Sequence, residues 1–115
     1  MEQSILISTK KVCGLPEDYT PFDFDIVTFI NSTFTQLIQL GVGPADGFSI
    51  DDTGAEEWDQ FVVDPPEQIH MVKTYVHLKA RMLFDPPSTS FHIEAMENQI
   101  REHEFRLNIF NEPPD

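Results

Sequence analysis

Apolar residues recur at three- and four-residue spacing in four stretches of the chain, the period of one helix face. In the first, Ser4 is placed to cap a short helix, and Ile5, Thr9, Val12 and Cys13 share a face. Lys10 and Lys11 fall in its last turn, where cations suit the helix dipole. Gly14-Leu15-Pro16 follows, a glycine, an apolar residue and a proline in the order that stops a helix. The second stretch opens at Asp23 as N-cap, with Asp25 in the first turn. Ile26, Phe29 or Ile30, Phe34, Leu37, Ile38 and Leu40 make one broad face, with Asn31, Ser32, Thr35, Gln36 and Gln39 on the other. It ends on Gly41-Val42-Gly43-Pro44, the same kind of stop.

The third stretch opens at Asp64-Pro65-Pro66-Glu67, a cap, an early proline and an acid in capping-box order. Its stripe is Val72, Tyr75, Val76 and Leu83, with Lys73, Lys79 and Arg81 mostly off it. Asp85-Pro86-Pro87 ends it near Phe84, because a residue before proline is pushed out of the helical region. Ser88 or Ser90 then caps a last helix whose seam is Ile93, Met96, Ile100, His103 and Leu107. Two helices around this rigid corner form an αα-hairpin. The pattern fades at Asn108, and an extended tail is expected from there.

Residues 42–64 show no such period. Gly43-Pro44, Asp46-Gly47 and Asp51-Asp52-Thr53-Gly54 signal turns. Phe48-Ser49-Ile50 alternates as an extended piece does, and residues 56–61 are expected to form one helical turn that pins Trp58 and Phe61 to the core. The expected fold is therefore all-α: a small bundle of about four helices, with a long irregular loop between the second and third and an extended C-terminal tail. Its single domain spans residues 1–107 and the tail 108–115. A chain of 115 residues suits one domain with a modest core.

Charge changes this picture most. The net charge is −13, which argues against a nucleic-acid binder that works through phosphate contacts. No Lys or Arg occurs between Lys11 and Lys73, while acids run through that gap. Repulsion of phosphate by this stretch remains compatible with the composition, as does an ordinary solvated acidic surface. One cysteine, Cys13, suits a reducing compartment and a packing role. No long apolar run or basic-plus-apolar leader is present, so expression in a cytoplasm is expected.

The chemistry-bearing residues do not converge. His70 and His77 are two helical turns apart, about 10 Å along the axis, too far to share one ion without other ligands. There is no HExxH, no Cys/His cluster, no Gly-rich phosphate loop and no GxSxG turn. Asp51-Asp52-Thr53-Gly54 lacks the ligand alternation of a calcium loop. Neither catalysis, a metal nor a cofactor is expected. Trp58, the single Trp, reads either as a core anchor or as a contact on a partner subunit.

Taken together, certain stretches resemble the head–tail connector, or adaptor, proteins of long-tailed bacteriophages. These are Lys10 to Tyr19, Phe22 to Ile26, Ile30-Asn31 through Phe34, Leu40 to Pro44, Val72 to Lys79, Leu83 to Pro87, Gln99-Ile100 and Arg106-Leu107. Each is a helix with its stop; their order and spacing carry the resemblance, over nearly the whole chain. It implies a virion protein whose subunits form a ring, typically dodecameric, on the portal beneath the capsid vertex. The ring receives a stopper or tail-completion protein, and genomic DNA passes without tight binding. It implies a portal-facing segment at Arg106, Leu107, Asn108, Ile109, Phe110, Asn111 and Glu112. Subunit contacts are expected from Lys73, Lys79, Arg81, Arg101 and Trp58, and channel-facing acids from Asp46, Asp51, Asp52, Glu56, Glu57 and Asp59. The alternative from another class is a small acidic regulatory module, a DNA mimic or an inhibitor of a basic partner.

Overall fold

A computed structural model describes residues 4–62 and 66–110, with Pro66 and Phe110 described by their backbone alone. Five helices follow in order: α1 Ile5–Val12, α2 Asp23–Gln39, α3 Trp58–Phe61, α4 Pro66–Phe84 and α5 Ser90–Phe110. The fold is all-α. The four expected helices are α1, α2, α4 and α5, and the expected turn in the irregular loop is α3. Among the described residues the one β-like pairing is an isolated antiparallel bridge between Ser4 and Glu57.

Both glycine stops form as the sequence implies. Gly14 has φ +78° and Gly41 φ +91°. The Gly14 and Leu15 amides donate to the Lys11 and Lys10 carbonyls at 3.1 and 2.9 Å, and the Gly41 and Val42 amides donate to Ile38 and Leu37 at 2.9 Å each. This is the six-to-one and five-to-two closure of a Schellman motif. Ser4 Oγ accepts the Ile7 amide at 3.2 Å and so caps α1 as expected.

The second expected cap differs. Phe22 stands at the N-cap of α2 and Asp23 is its first helical residue. Asp23 is instead engaged by Lys10, whose Nζ lies 2.9 Å from Asp23 Oδ1 and donates to the Glu17 carbonyl at 2.9 Å. Lys10 is only 1% exposed. Its last-turn position in α1 therefore does more than answer a dipole: it locks the α1–α2 connection from inside. Such a pair adds little net stability, but removing one partner leaves a buried charge and costs about 3–5 kcal/mol.

α4 is the central helix, in contact with α1, α2, α3 and α5. Its buried stripe is Val72, Tyr75, Val76 and Ala80. Leu83, expected on that stripe, is 60% exposed; in the last turn the neighbouring Phe84 packs instead, edge-on to Phe29 at 5.8 Å. α4 begins with Pro66, at home in a first turn where its missing N–H is not needed. Asp64, expected as its cap, lies outside the described residues. After the double proline, Thr89 rather than Ser88 or Ser90 caps α5: its Oγ1 accepts the His92 amide at 3.2 Å and its carbonyl accepts the Ile93 amide at 3.0 Å. α5 packs chiefly against α4, burying Met96 and Leu107 and half-burying Ile93, Ile100 and His103. It continues to Phe110, so the tail expected from Asn108 is helical through three further residues. Residues 111–115 lie outside the described residues.

The irregular loop is folded onto the core by aromatics. A four-residue helix such as α3 does not hold itself together. Trp58 and Phe61, three apart, fall on one face and are 1% and 2% exposed; burying a ring of this size stabilises by about 2–3 kcal/mol, enough to hold one turn. Phe61 stacks on Phe34 at 4.3 Å, and Phe48 meets both edge-on at 5.3 and 5.4 Å. Glu57 and Gln60 close a capping box around the turn. Asn31 ties the middle of the loop, its amide donating to the Ile50 carbonyl at 3.1 Å and accepting the Ile50 amide at 2.8 Å.

Gly43 illustrates how tight this is. Its φ is +89°, and a Cβ there would lie 2.5 Å from Phe61 Cζ, whereas one on Gly47 (φ +105°) meets nothing within 4 Å. Gly43→Ala and Gly47→Ala should both destabilise through the backbone. Gly43→Ala should cost about 1–3 kcal/mol more, from overpacking. Urea unfolding of the two variants measures the difference; equal midpoints would contradict this packing.

Candidate functional site

A concave surface lies where the C-terminal half of α2, the middle of α4 and the end of α5 meet. It is a groove of about 700 Å³ lined by residues that include Gln36, Leu40, Tyr75, Lys79, Arg101 and Phe105. Its floor is a polar chain. The Tyr75 hydroxyl donates to Glu104 Oε2 at 2.6 Å, and burial together with that acidic neighbour pushes the tyrosine pKa well up. Lys79 donates to Gln36 Oε1 at 2.6 Å and lies 5.3 Å from the centre of the Tyr75 ring. Burial lowers the Lys79 pKa, and Glu104 opposes that shift. The walls are apolar and exposed: Phe105 is 61% and Ile109 53% open to solvent.

The expected subunit contacts divide. Lys79 and Arg101 are brought together in this groove. Arg81 sits elsewhere, in a hollow at the proline corner with Pro87, His92 and Met96, and its Nε lies 4.0 Å from Asp85. Lys73 is half-buried on α4, close enough to His77 to act on its charge. Trp58 must be withdrawn as a surface contact. Its indole Nε1 donates to Ser8 Oγ at 3.0 Å, and its ring meets Phe34 and His77 edge-on at 6.3 and 5.4 Å. At 1% exposure no indole face remains for a neighbour.

Of the expected portal-facing residues, Arg106, Asn108 and Ile109 are exposed on α5, with Arg106 donating to Glu102 at 2.7 Å. Leu107 is fully buried and is corrected to a core residue, since it continues the seam against α4. The Phe110 side chain, Asn111 and Glu112 lie outside the described residues. Among the acids, Asp46, Asp51, Asp52, Glu57 and Asp59 are exposed and Glu56 is half-buried. Asp51 accepts the Thr53 amide at 2.9 Å; the hydrogen bonds from Thr53 hold its carboxyl below the usual range.

The chemistry-bearing groups sit apart. Among the described residues no three His, Cys, Asp or Glu side chains are grouped to hold a metal ion. Cys13 is buried, and burial, then Asp85, push its thiol up to about 11. His70 is exposed, while His77 is half-buried under Trp58. No helix among the described residues is long and apolar enough to cross a membrane.

A family model described as Phage connector protein matches residues 5–114. The chain belongs to that family. The match spans all five helices and gives the chain a connector role between phage head and tail components. No curated protein and no solved structure matches the connector chain. What sequence reasoning passed over in this connector is its exposed aromatics: Tyr19, Phe22 and Phe24 before and at the start of α2, and Phe91 and Phe105 on α5. The signal was present, since Phe91 and Phe105 fall off the seam of α5 and Phe24 off the inner face of α2.

His77 gives a pH test of this core. Burial, then Lys73, lower its pKa from 6.5 to about 4. The unfolded chain therefore takes up the proton first as pH falls. Stability attached to neutral His77 is complete above 6.5 and is lost as pH drops toward 4. Between pH 7 and pH 5 that loss should be about 2 kcal/mol. Comparing urea unfolding of the native chain with His77→Phe at both pH values isolates it; identical pH slopes would contradict the buried neutral imidazole.

Proposed function

We propose that copies of this chain close into a ring at the virion neck, beneath the portal, where they join the capsid to a stopper or tail while genomic DNA passes through the lumen. Family membership over nearly the whole chain carries this reading. The distribution of charge supports it. The stretch between Lys11 and Lys73 holds acids and no Lys or Arg, and five of the six acids expected in the channel, all but Glu56, are exposed. A conduit whose wall repels phosphate lets DNA slide, because it offers no counterion-releasing contacts to hold it.

In this reading the far end of α5, with Arg106, Asn108 and Ile109, faces the portal together with Asn111 and Glu112. The cations of α4 and α5 meet acids of a neighbouring copy, the head-to-tail pairing that a closed ring requires. The assembled ring is dodecameric in this proposal, made in the host bacterial cytoplasm and carried in the virion.

Co-purification of the tagged chain with portal-bearing capsids tests the reading directly; a chain recovered free of all particles would sink it. Lys79→Glu with Arg81→Glu should reduce incorporation into particles. Arg101→Glu, on an exposed helix face, should do so without lowering the unfolding temperature. Undiminished incorporation of both variants would remove these cations from the interface. In a reconstruction of the neck, Asp46, Asp51, Asp52, Glu57 and Asp59 should face the lumen, and an arrangement with all of them on the outer rim would overturn the acidic-wall account.

A further inference from the structure

Two uncovered surfaces lie at opposite ends of α2. At its start the chain displays Tyr19, Phe22 and Phe24, which are 41%, 46% and 78% exposed. The first two rings pack on each other at 5.9 Å, and Asp18 and Asp25 are exposed beside them. Phe24 follows directly on Asp23, which buried Lys10 holds at 2.9 Å. The aromatic knob is therefore mounted on an anchored first turn. At the other end of α2 lies the groove of about 700 Å³, where Leu40, Phe105 and Ile109 form apolar walls and Lys79 and Arg101 bring two cations. Among the described residues its one carboxylate, Glu104, already accepts the Tyr75 hydroxyl.

Knob and groove match in chemistry, aromatic and acidic against apolar and basic, yet a single chain cannot join them. Phe24 and Gln39 are separated by about 22 Å along a continuous helix at 1.5 Å per residue. We infer that the Phe24 knob of one copy seats in the α2–α4–α5 groove of the next, with Asp18 and Asp25 facing Lys79 and Arg101. The inference rests on the reading of the chain as a ring subunit, and adds which surfaces meet. Because each copy offers one knob and one groove, the contact is heterologous and continues from copy to copy until it closes. A two-fold pairing of knob on knob would set Asp18 and Asp25 against their own duplicates, which like-charge repulsion disfavours.

Site-directed cross-linking tests this. Two chains are made, both carrying Cys13→Ala, one with Thr28→Cys, one turn beyond the knob, and the other with Gln39→Cys, on the rim of the groove. Both positions are exposed, and Phe24 and Phe105 stay in place. The mixed chains are treated with a short bismaleimide, once as concentrated purified protein and once in particles assembled from both. A covalent dimer of the two chains in either setting supports the pairing, provided it is absent when Phe91→Cys replaces Gln39→Cys and is lost when Arg101→Glu is added to the groove chain. No dimer in either setting, or equal yield with Phe91→Cys, overturns it. So does a Gln39→Cys thiol shielded without dimer formation, which marks a groove filled by the chain's own residues 111–115 or by another virion protein. Immunoblotting the particles reports separately on the neck reading. A chain present in particles but never cross-linked sinks the pairing alone, and a chain cross-linked in solution but absent from particles sinks the neck assignment alone.

Discussion

The indole of Trp58 is the point on which the rest of the subunit depends. It donates to Ser8 of α1, lies edge-on to Phe34 of α2 and to His77 of α4, and belongs to the loop that joins α2 to α4. One side chain therefore touches three helices that are distant in sequence. Ser8 Oγ also lies 2.6 Å from the Ser4 carbonyl, to which it donates, so the contact reaches the start of α1, where Ser4 bridges to Glu57. A buried Trp N–H without an acceptor is costly. That fixes Ser8 as a polar residue on the buried side of α1, next to Thr9.

The hairpin of α4 and α5 has a different character. α4 is covered by the other helices, whereas α5 leans chiefly on α4 and leaves aromatic surface open at Phe91 and Phe105. Soluble monomers seldom display several large apolar side chains on one helix without a use for them. The packing around Trp58 is closed on itself, whereas the outer face of α5 and the start of α2 remain available to others.

What was legible in the sequence was local. The stops at Gly14 and Gly41, the end of α4 near Phe84, and the turn carrying Trp58 and Phe61 each follow from a few adjacent residues whose backbone preferences decide the outcome. What was not legible depended on partners brought by the fold. Lys10 reads as a surface cation at a helix end until Asp23 arrives beside it. Asn31 reads as a solvent-facing amide until Ile50 is laid against it. Thr89, Ser88 and Ser90 are all capping residue types, and which of them caps is decided by where the folded backbone starts the helix, at Thr89. Of the expected interface residues, Lys79 and Arg101 meet in one groove although they sit on different helices, while Trp58 and Leu107 withdraw into the core, because a three- and four-residue period tells which residues share a face but not how much of that face a neighbour covers. The open aromatics Phe24 and Phe105 were legible, since each falls off the apolar face of its helix.

The Asn31 clamp on Ile50 has a consequence for how the connection between α2 and α3 can vary. A side-chain amide that gives and takes one hydrogen bond imitates a strand partner without creating a second strand, so it ties the loop down and exposes no sheet edge. The long excursion becomes two shorter closures, residues 40–49 and 51–57, pinned at Ile50 between them. Residues inserted on one side, near Asp46 or near Thr53, lengthen one closure at a cost that grows only slowly with length and leave the other undisturbed. The loop is in this sense modular: either half can be rewritten while Trp58 and Phe61 keep their places.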